Sequence, residues 1–343
     1  MIGATAREGV VFPVFAGLTS LISRPVGAAA DAGAPEPREA RRPPFALALG
    51  GGIARGWAHI GVLKTLEAAG LKPDIVTGTS VGAVVGGCWA AGKLPELEAW
   101  TRSLTRRRMF GLLDISLAGA GLISGGRLKT QLEANLGETA IEDLTVRFAA
   151  IATEYGTGHE VWLARGPLAE AIRASYALPG VFEPLRIGGR WLMDGALVNP
   201  VPVSAARALG GRLVVAVNLQ SDVSGRGTVV QSVGASERDQ EAAEGLGWFA
   251  RMRGQGKEAG RSAPPVQRNG PGIPSVMVDA FNIMLDRISR SRLAGDPPDV
   301  AIGPRLADIG LFDFHRAAES IRLGEEAAER ALDPIREAMR ALA

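Results

Sequence analysis

The sequence predicts an α/β domain, a mainly parallel sheet with helices on both faces. Three observations carry this. Phe45–Leu49 and Leu213–Val217 are wholly apolar runs without alternation, the pattern of strands covered on both faces. Segments with apolar residues at helical spacing separate such runs. The first strand, helix and strand follow one another within Phe45–Thr77, a unit whose crossover is right-handed and whose strands are parallel. A hydrophobic share of 46% over 343 residues is ample for one core.

In chain order, Gly9–Ile22 is an apolar run of signal-peptide length, too short for a membrane span, followed by small residues at Val26–Ala30. Arg7 beside Glu8 and the interruption at Pro13 argue against export. A cytoplasmic protein, peripheral at a membrane, is the expectation, with export through this segment as the alternative. Residues 1–44 read as a poorly ordered segment and Pro-rich linker, residues 45–332 as the domain, and 333–343 as a helical tail.

Phe45–Leu49 gives the first strand and Gly50-Gly-Gly52 breaks it. A helix over Trp57–Ala69 places Trp57, Ile60, Leu63 and Leu66 on one face and stops at Gly70 and Pro73. Ile75–Thr77 is the next strand, and a helix of small residues follows Ser80 and closes at Gly92. Pro95–Arg108 reads as a helix ending in the cationic cluster Arg106-Arg-Arg-Met-Phe110, either solvated or in contact with lipid. Gly119–Gly126 is a loop in which Ser124 caps the helix Arg127–Leu136.

Phe148–Ala152 and Val161–Leu163 are strands, and Leu168–Ser175 is a helix stopped before Pro179-Gly180. Leu185–Ile187 and Trp191–Met193 flank the tight turn Gly188-Gly-Arg190. Polar residues 221–272 read as a mobile insertion. Val276–Leu293 is an amphipathic helix with Met277, Phe281, Met284 and Ile288 on one face, facing the core or serving as a lid over an apolar substrate. Val300–Ile302 is a final strand, and Asp313–Ala341 is helical with an interruption near Pro334.

Composition narrows the function. A net charge of +2 supplies no global field for nucleic acid, and an aromatic share of 5% is low for a base-stacking platform. One cysteine, Cys88, excludes an internal disulfide framework, and three histidines make a His-rich metal site improbable. No metal and no cofactor are expected.

Asp74–Cys88 carries the chemistry. Gly78, Ser80 and Gly82 have the G-x-S-x-G spacing of a nucleophile elbow, where a sharp strand-to-helix turn exposes one hydroxyl at a helix N-terminus. Gly50-Gly51-Gly52-Ile53-Ala54-Arg55-Gly56 leaves a strand and enters a helix, so its amides can approach an oxyanion closely, with Arg55 adding charge or bracing the loop. A dinucleotide site would want glycine at 55 and an acidic residue at the end of the second strand; neither is present, so no nucleotide is expected. The base is open between a triad through His159 or His315, and Asp194 alone. His59 lies in the first helix, where a lone histidine is more often packed or solvated than catalytic. Asp194 follows the apolar Trp191–Met193, where partial desolvation raises a carboxyl pKa, and Gly195 permits a positive φ that aims it.

Together, Gly50–Gly56, Gly78–Gly82 and Asp194-Gly195-Ala196, in this order, resemble the patatin-like phospholipases, in the bacterial branch related to neuropathy target esterase. The resemblance extends to Ala174–Gly180 with Phe182 and Pro184, and to Asp308–His315. It implies a Ser-Asp dyad without histidine on an α/β fold. Ser80 is then the nucleophile, Asp194 the base, and the amides of Gly51, Gly52 and Ile53 the oxyanion hole. The glycine loop is one residue longer before Arg55 than the shorter family form, which leaves the amide assignment open by one residue, and Ala196 stands where the family often has glycine. The implied activity is hydrolysis of lipid acyl esters, with a lipid or phospholipid substrate met at a membrane surface. A lipid acyltransferase on the same site and an inactive lipid-binding module are the alternatives.

Overall fold

Apolar runs and Gly-bounded turns fold into one sheet in the computed structural model, which describes residues 42–105, 126–222 and 273–343. The strands are β1 (Phe45–Leu49), β2 (Ile75–Thr79), β3 (Arg147–Glu154), β4 (Glu160–Leu163), β5 (Leu185–Ile187), β6 (Arg190–Asp194), β7 (Leu213–Val217) and β8 (Val300–Ile302). Their order is β5-β6-β3-β2-β1-β7-β8, with β4 also paired to β3. From β3 to β8 the pairing is parallel, and β4, β5 and β6 add antiparallel pairs at one edge. Every residue of β1, β2 and β7 is buried, as runs without alternation require.

The helices are α1 (Ala58–Ala68), α2 (Val81–Ala90), α3 (Leu94–Arg102), α4 (Gly126–Leu136), α5 (Leu168–Ser175), α6 (Val203–Ala208), α7 (Ile273–Gly295) and α8 (Ala317–Leu342). Alternate strand residues divide the core. Phe45, Leu47, Leu49, Val76, Phe148 and Val215 join α1, α2, α5 and α8 on one face. Ala46, Ala48, Ile75, Val214 and Ala216 meet α6 and Leu293 of α7 on the other. The expected architecture, helices on both faces of a mainly parallel sheet, is the one found.

Three expectations are corrected. The turn between β5 and β6 is Gly188-Gly189 alone, both at positive φ, and Arg190 already pairs with Ile187. Pro334 does not interrupt α8, which runs through the boundary expected at Leu332 and buries Ile335 completely. Proline removes the bond to the carbonyl four residues back, on Arg330, which lies on the exposed side where water can replace it. The core side of α7 centres on Leu285, Asp286 and Ser289, which are buried, whereas on the expected face Phe281 and Ile288 are half-buried and Met284 is 47% exposed. Asp286 is held by Arg290 one turn on. The inward stripe is partly polar, so apolar periodicity alone placed the core face off by about one residue.

The N-terminal segment up to residue 41, the cluster Arg106–Phe110, Ser124 with its loop, and the insertion from residue 223 lie outside the described residues. Among those described, no helix is long and apolar enough to cross a membrane.

Candidate active site

β2 ends at Thr79 and α2 begins at Val81, so Ser80 alone makes the turn, at φ 56° and ψ −122°. A side chain at positive φ costs on the order of 1–3 kcal/mol and persists only where neighbours over-determine it. Here they do. The Ser80 amide donates to Ser175 Oγ at 2.9 Å, and the Ser175 hydroxyl donates to the Ile151 carbonyl at 2.6 Å. The two motif glycines are required by close approach. A Cβ at Gly78 would lie 2.5 Å from the Ala83 nitrogen, and one at Gly82 would lie 2.2 Å from the Leu49 oxygen.

Strand register brings Asp194 to this turn. β2 pairs with β3 as far as Ile151, and the next residue of β3, Ala152, pairs with Asp194. β4 occupies the other edge of β3 over Ala150–Thr153, so β6 takes up the edge that β2 has just left. Asp194 therefore stands at the level of Ser80, and its Oδ2 accepts the Ser80 hydroxyl at 2.6 Å. Its Oδ1 accepts the Ala196 amide at 2.8 Å, its backbone amide donates to Ala177 O, and its carbonyl accepts the Thr153 hydroxyl. Asp194 is 2% exposed. Burial pushes its carboxyl up to about 6, against the opposing pull of the bonds from Ser80 and Ala196. Gly195 does not use a positive φ; it is needed because a Cβ there would lie 2.2 Å from the Ile151 carbonyl oxygen.

The glycine loop lies beside this pair, since a Cβ at Gly51 would meet Ser80 Cβ at 3.5 Å. Gly50 N donates to Val217 O at 3.1 Å and Gly51 N to Pro200 O at 2.9 Å. The Gly51 amide is thus engaged, which corrects its expected place among the oxyanion donors. The amides of Gly52 and Ile53 engage no acceptor among the described residues. Ile53 has φ 51° and is, with Ser80, one of two non-glycine residues at positive φ among those described. Both strained residues lie in the two motifs read from the sequence. Gly56 packs against the Val81 side chain. Arg55 is buried, and its Nε donates to Ile309 O at 2.7 Å, so it braces the loop against the C-terminal segment.

No histidine is hydrogen-bonded to the Ser80 hydroxyl. His159 is exposed and pairs with Glu154, His315 lies near Asp313, and His59 is fully buried with Nε2 against Gly50 O. Among the described residues, no group of three His, Cys, Asp or Glu side chains could hold a metal ion. Sequence reasoning gave no role to the Ser175 hydroxyl, the Pro200 carbonyl or the Thr153 hydroxyl. Ser175 alone left a signal, as a buried hydroxyl on the apolar face of a short helix. A hydroxyl bonded to a desolvated carboxylate, beside two unengaged amides, is an arrangement suited to acyl transfer.

Residues 47–207 match the family model described as patatin-like phospholipase. An uncharacterised NTE family protein of Mycobacterium tuberculosis is 34% identical over 338 residues, spanning 86% of this chain and 93% of the relative. Patatin-like phospholipase domain-containing protein 6 of Homo sapiens is 33% identical over 184 residues, 52% of this chain but 13% of that protein. Among solved structures, VipD from Legionella pneumophila aligns with a TM-score of 0.41 and 15% identity over 85% of this chain and 67% of its own. On the family model and the near full-length relative, the chain belongs to the patatin-like phospholipase family, among its NTE family proteins.

Proposed function

We propose that this protein is a serine acyl hydrolase that cleaves acyl esters of lipids through a Ser80–Asp194 dyad, meeting its substrate at a membrane surface. The carrying observation is the 2.6 Å bond between the Ser80 hydroxyl and the Asp194 carboxylate, both of them buried. The Ser80 proton passes to Asp194 Oδ2 as Oγ attacks the acyl carbon. The carbonyl oxygen takes the negative charge opposite the Gly52 and Ile53 amides and the N-terminus of α2. Collapse of the tetrahedral intermediate returns the proton from Asp194 to the departing alcohol and leaves acyl-Ser80. Water, deprotonated by Asp194, then attacks the acyl-enzyme, and the acid leaves with the Ser80 proton restored.

A normal carboxylate is a poor base for a hydroxyl. Raising its pKa from 3.8 to about 6 narrows that gap by roughly 3 kcal/mol at about 1.36 kcal/mol per unit. Ser80→Ala should lower kcat for a short-chain p-nitrophenyl ester by at least about 10⁴-fold without loss of fold. Asp194→Asn should approach the same loss, because nucleophile and base act as one unit. His159→Gln and His315→Gln should keep most of the rate. A folded histidine variant that is inactive beside an active Asp194→Asn would return the mechanism to a triad.

A further inference from the structure

We propose that His59 is a positioning residue for the oxyanion hole, holding through one hydrogen bond the peptide from which the Gly52 and Ile53 amides are presented. The inference rests on the acyl-hydrolase reading above. The Gly50–Gly51 peptide is fixed at both its polar atoms, Gly51 N on Pro200 O at 2.9 Å and Gly50 O on His59 Nε2 at 2.7 Å, and the peptide before it by Gly50 N on Val217 O at 3.1 Å. Two of these partners are backbone. His59 is the side chain among them.

Downstream the loop is fixed again, by Ala54 N on Leu311 O at 3.0 Å and Arg55 Nε on Ile309 O at 2.7 Å. Gly52 and Ile53 span the gap between these anchors, and Ile53 is held there at φ 51°. A β-branched residue does not rest in that region unless both ends are fixed. If the Gly50 carbonyl were released, the peptide could rotate and Ile53 could relax toward negative φ, turning its amide away from the oxyanion.

The chemistry of His59 fits a donor and not a base. A carbonyl can only accept, so Nε2 carries the proton, and Nδ1 is buried with no partner. The ring is fully buried, which pushes its pKa down to about 4. It stays neutral and keeps this tautomer across the working pH range. It is the second residue of α1, so the bond ties the helix after the loop to the strand end before it.

His59→Gln and His59→Met test this. Both side chains reach as far as Nε2, but only glutamine donates there. Rates are expressed per active site titrated with a fluorophosphonate. His59→Met should lower kcat about 10- to 100-fold with KM within about threefold, and His59→Gln should return to within about fivefold of the unmodified enzyme. Unchanged kcat per titrated site in His59→Met, or equal losses in both variants, overturns the proposal; a purely structural role would lower the melting temperature and the titrated fraction only. Ser80→Ala is assayed in parallel. Turnover surviving in Ser80→Ala defeats the acyl-hydrolase reading, whereas an inactive Ser80→Ala beside a fully active His59→Met defeats the His59 inference alone. If His59→Met does not fold, nitrogen NMR of the unmodified enzyme decides. A proton on Nε2 with bare Nδ1 from pH 5 to 9 is the expected result, and a titrating ring or an Nδ1–H overturns it.

Discussion

Burial pushes the Asp194 carboxyl from 3.8 up to about 6, and this sets how activity and stability vary with pH. The proposed dyad needs Asp194 ionised, so kcat/KM should fall tenfold per unit below about pH 6 and level off above it. Stability runs the other way. A group whose folded pKa lies above its unfolded value contributes stability that is fully present below the unfolded pKa and is lost as pH rises through the folded one. Between about pH 4 and 6 the fold should therefore lose on the order of 3 kcal/mol through this residue, from roughly two units at about 1.36 kcal/mol each. Asp194→Asn abolishes that cost, since an amide can accept from Ala196 and donate to Ser80. The Asn variant should be more stable than the parent at pH 8 and lose the advantage near pH 4, as read by urea unfolding at both pH values. An Asp194→Asn protein less stable than the parent at pH 8 would mean that the site favours the charged carboxylate.

At the scale of elements, the site depends on helix packing as much as on the motifs. α1, which follows the glycine loop, crosses α8 at glycines: a Cβ at Gly61 would lie 2.0 Å from Ile321 O, and one at Gly324 would lie 2.0 Å from Ala58 O. Gly324→Ala must push the helices apart at the residue next to His59. Overpacking of this kind costs about 1–3 kcal/mol, so melting should drop by several degrees, at roughly 2–4 °C per kcal/mol. A variant that melts with the parent would show that the crossing can spread freely. The elements that sequence made legible share one property, a pattern internal to themselves. β1 and β7 are continuous apolar runs, and Gly78, Ser80 and Gly82 mark the strand-to-helix turn by spacing. α7 was misread because Asn282, Asp286 and Ser289 form much of its inner stripe. Ser175 and His59 escaped because each acts through hydrogen bonds to backbone atoms that only the tertiary fold supplies.

On the scale of the whole molecule, the site is assembled from distant parts of the chain. Ser80 and Asp194 are 114 positions apart, and Arg55 meets Ile309 across 254. The C-terminal segment closes the structure twice, through the Leu311 and Ile309 carbonyls on the glycine loop and through α8 on α1. This argues against treating the end of the chain as dispensable. Ile335 is fully buried, and beyond it Met339 and Leu342 pack against the same core. Losing a buried isoleucine alone costs about 2–5 kcal/mol, against a total stability of roughly 5–15 kcal/mol for a domain. A chain ending at Leu332 should therefore melt well below the parent and lose ester turnover in proportion to its unfolded fraction, because α8 supports α1 and α1 supports the loop. Pro334→Ala, by contrast, restores a hydrogen bond on the solvent side and should leave both fold and rate intact. Circular dichroism melting and turnover of the two proteins, taken together, decide the matter. If the shortened chain melts with the parent and keeps its rate, the last helical turns are a tail after all, and the packing of Ile335 contributes nothing that the catalytic loop feels.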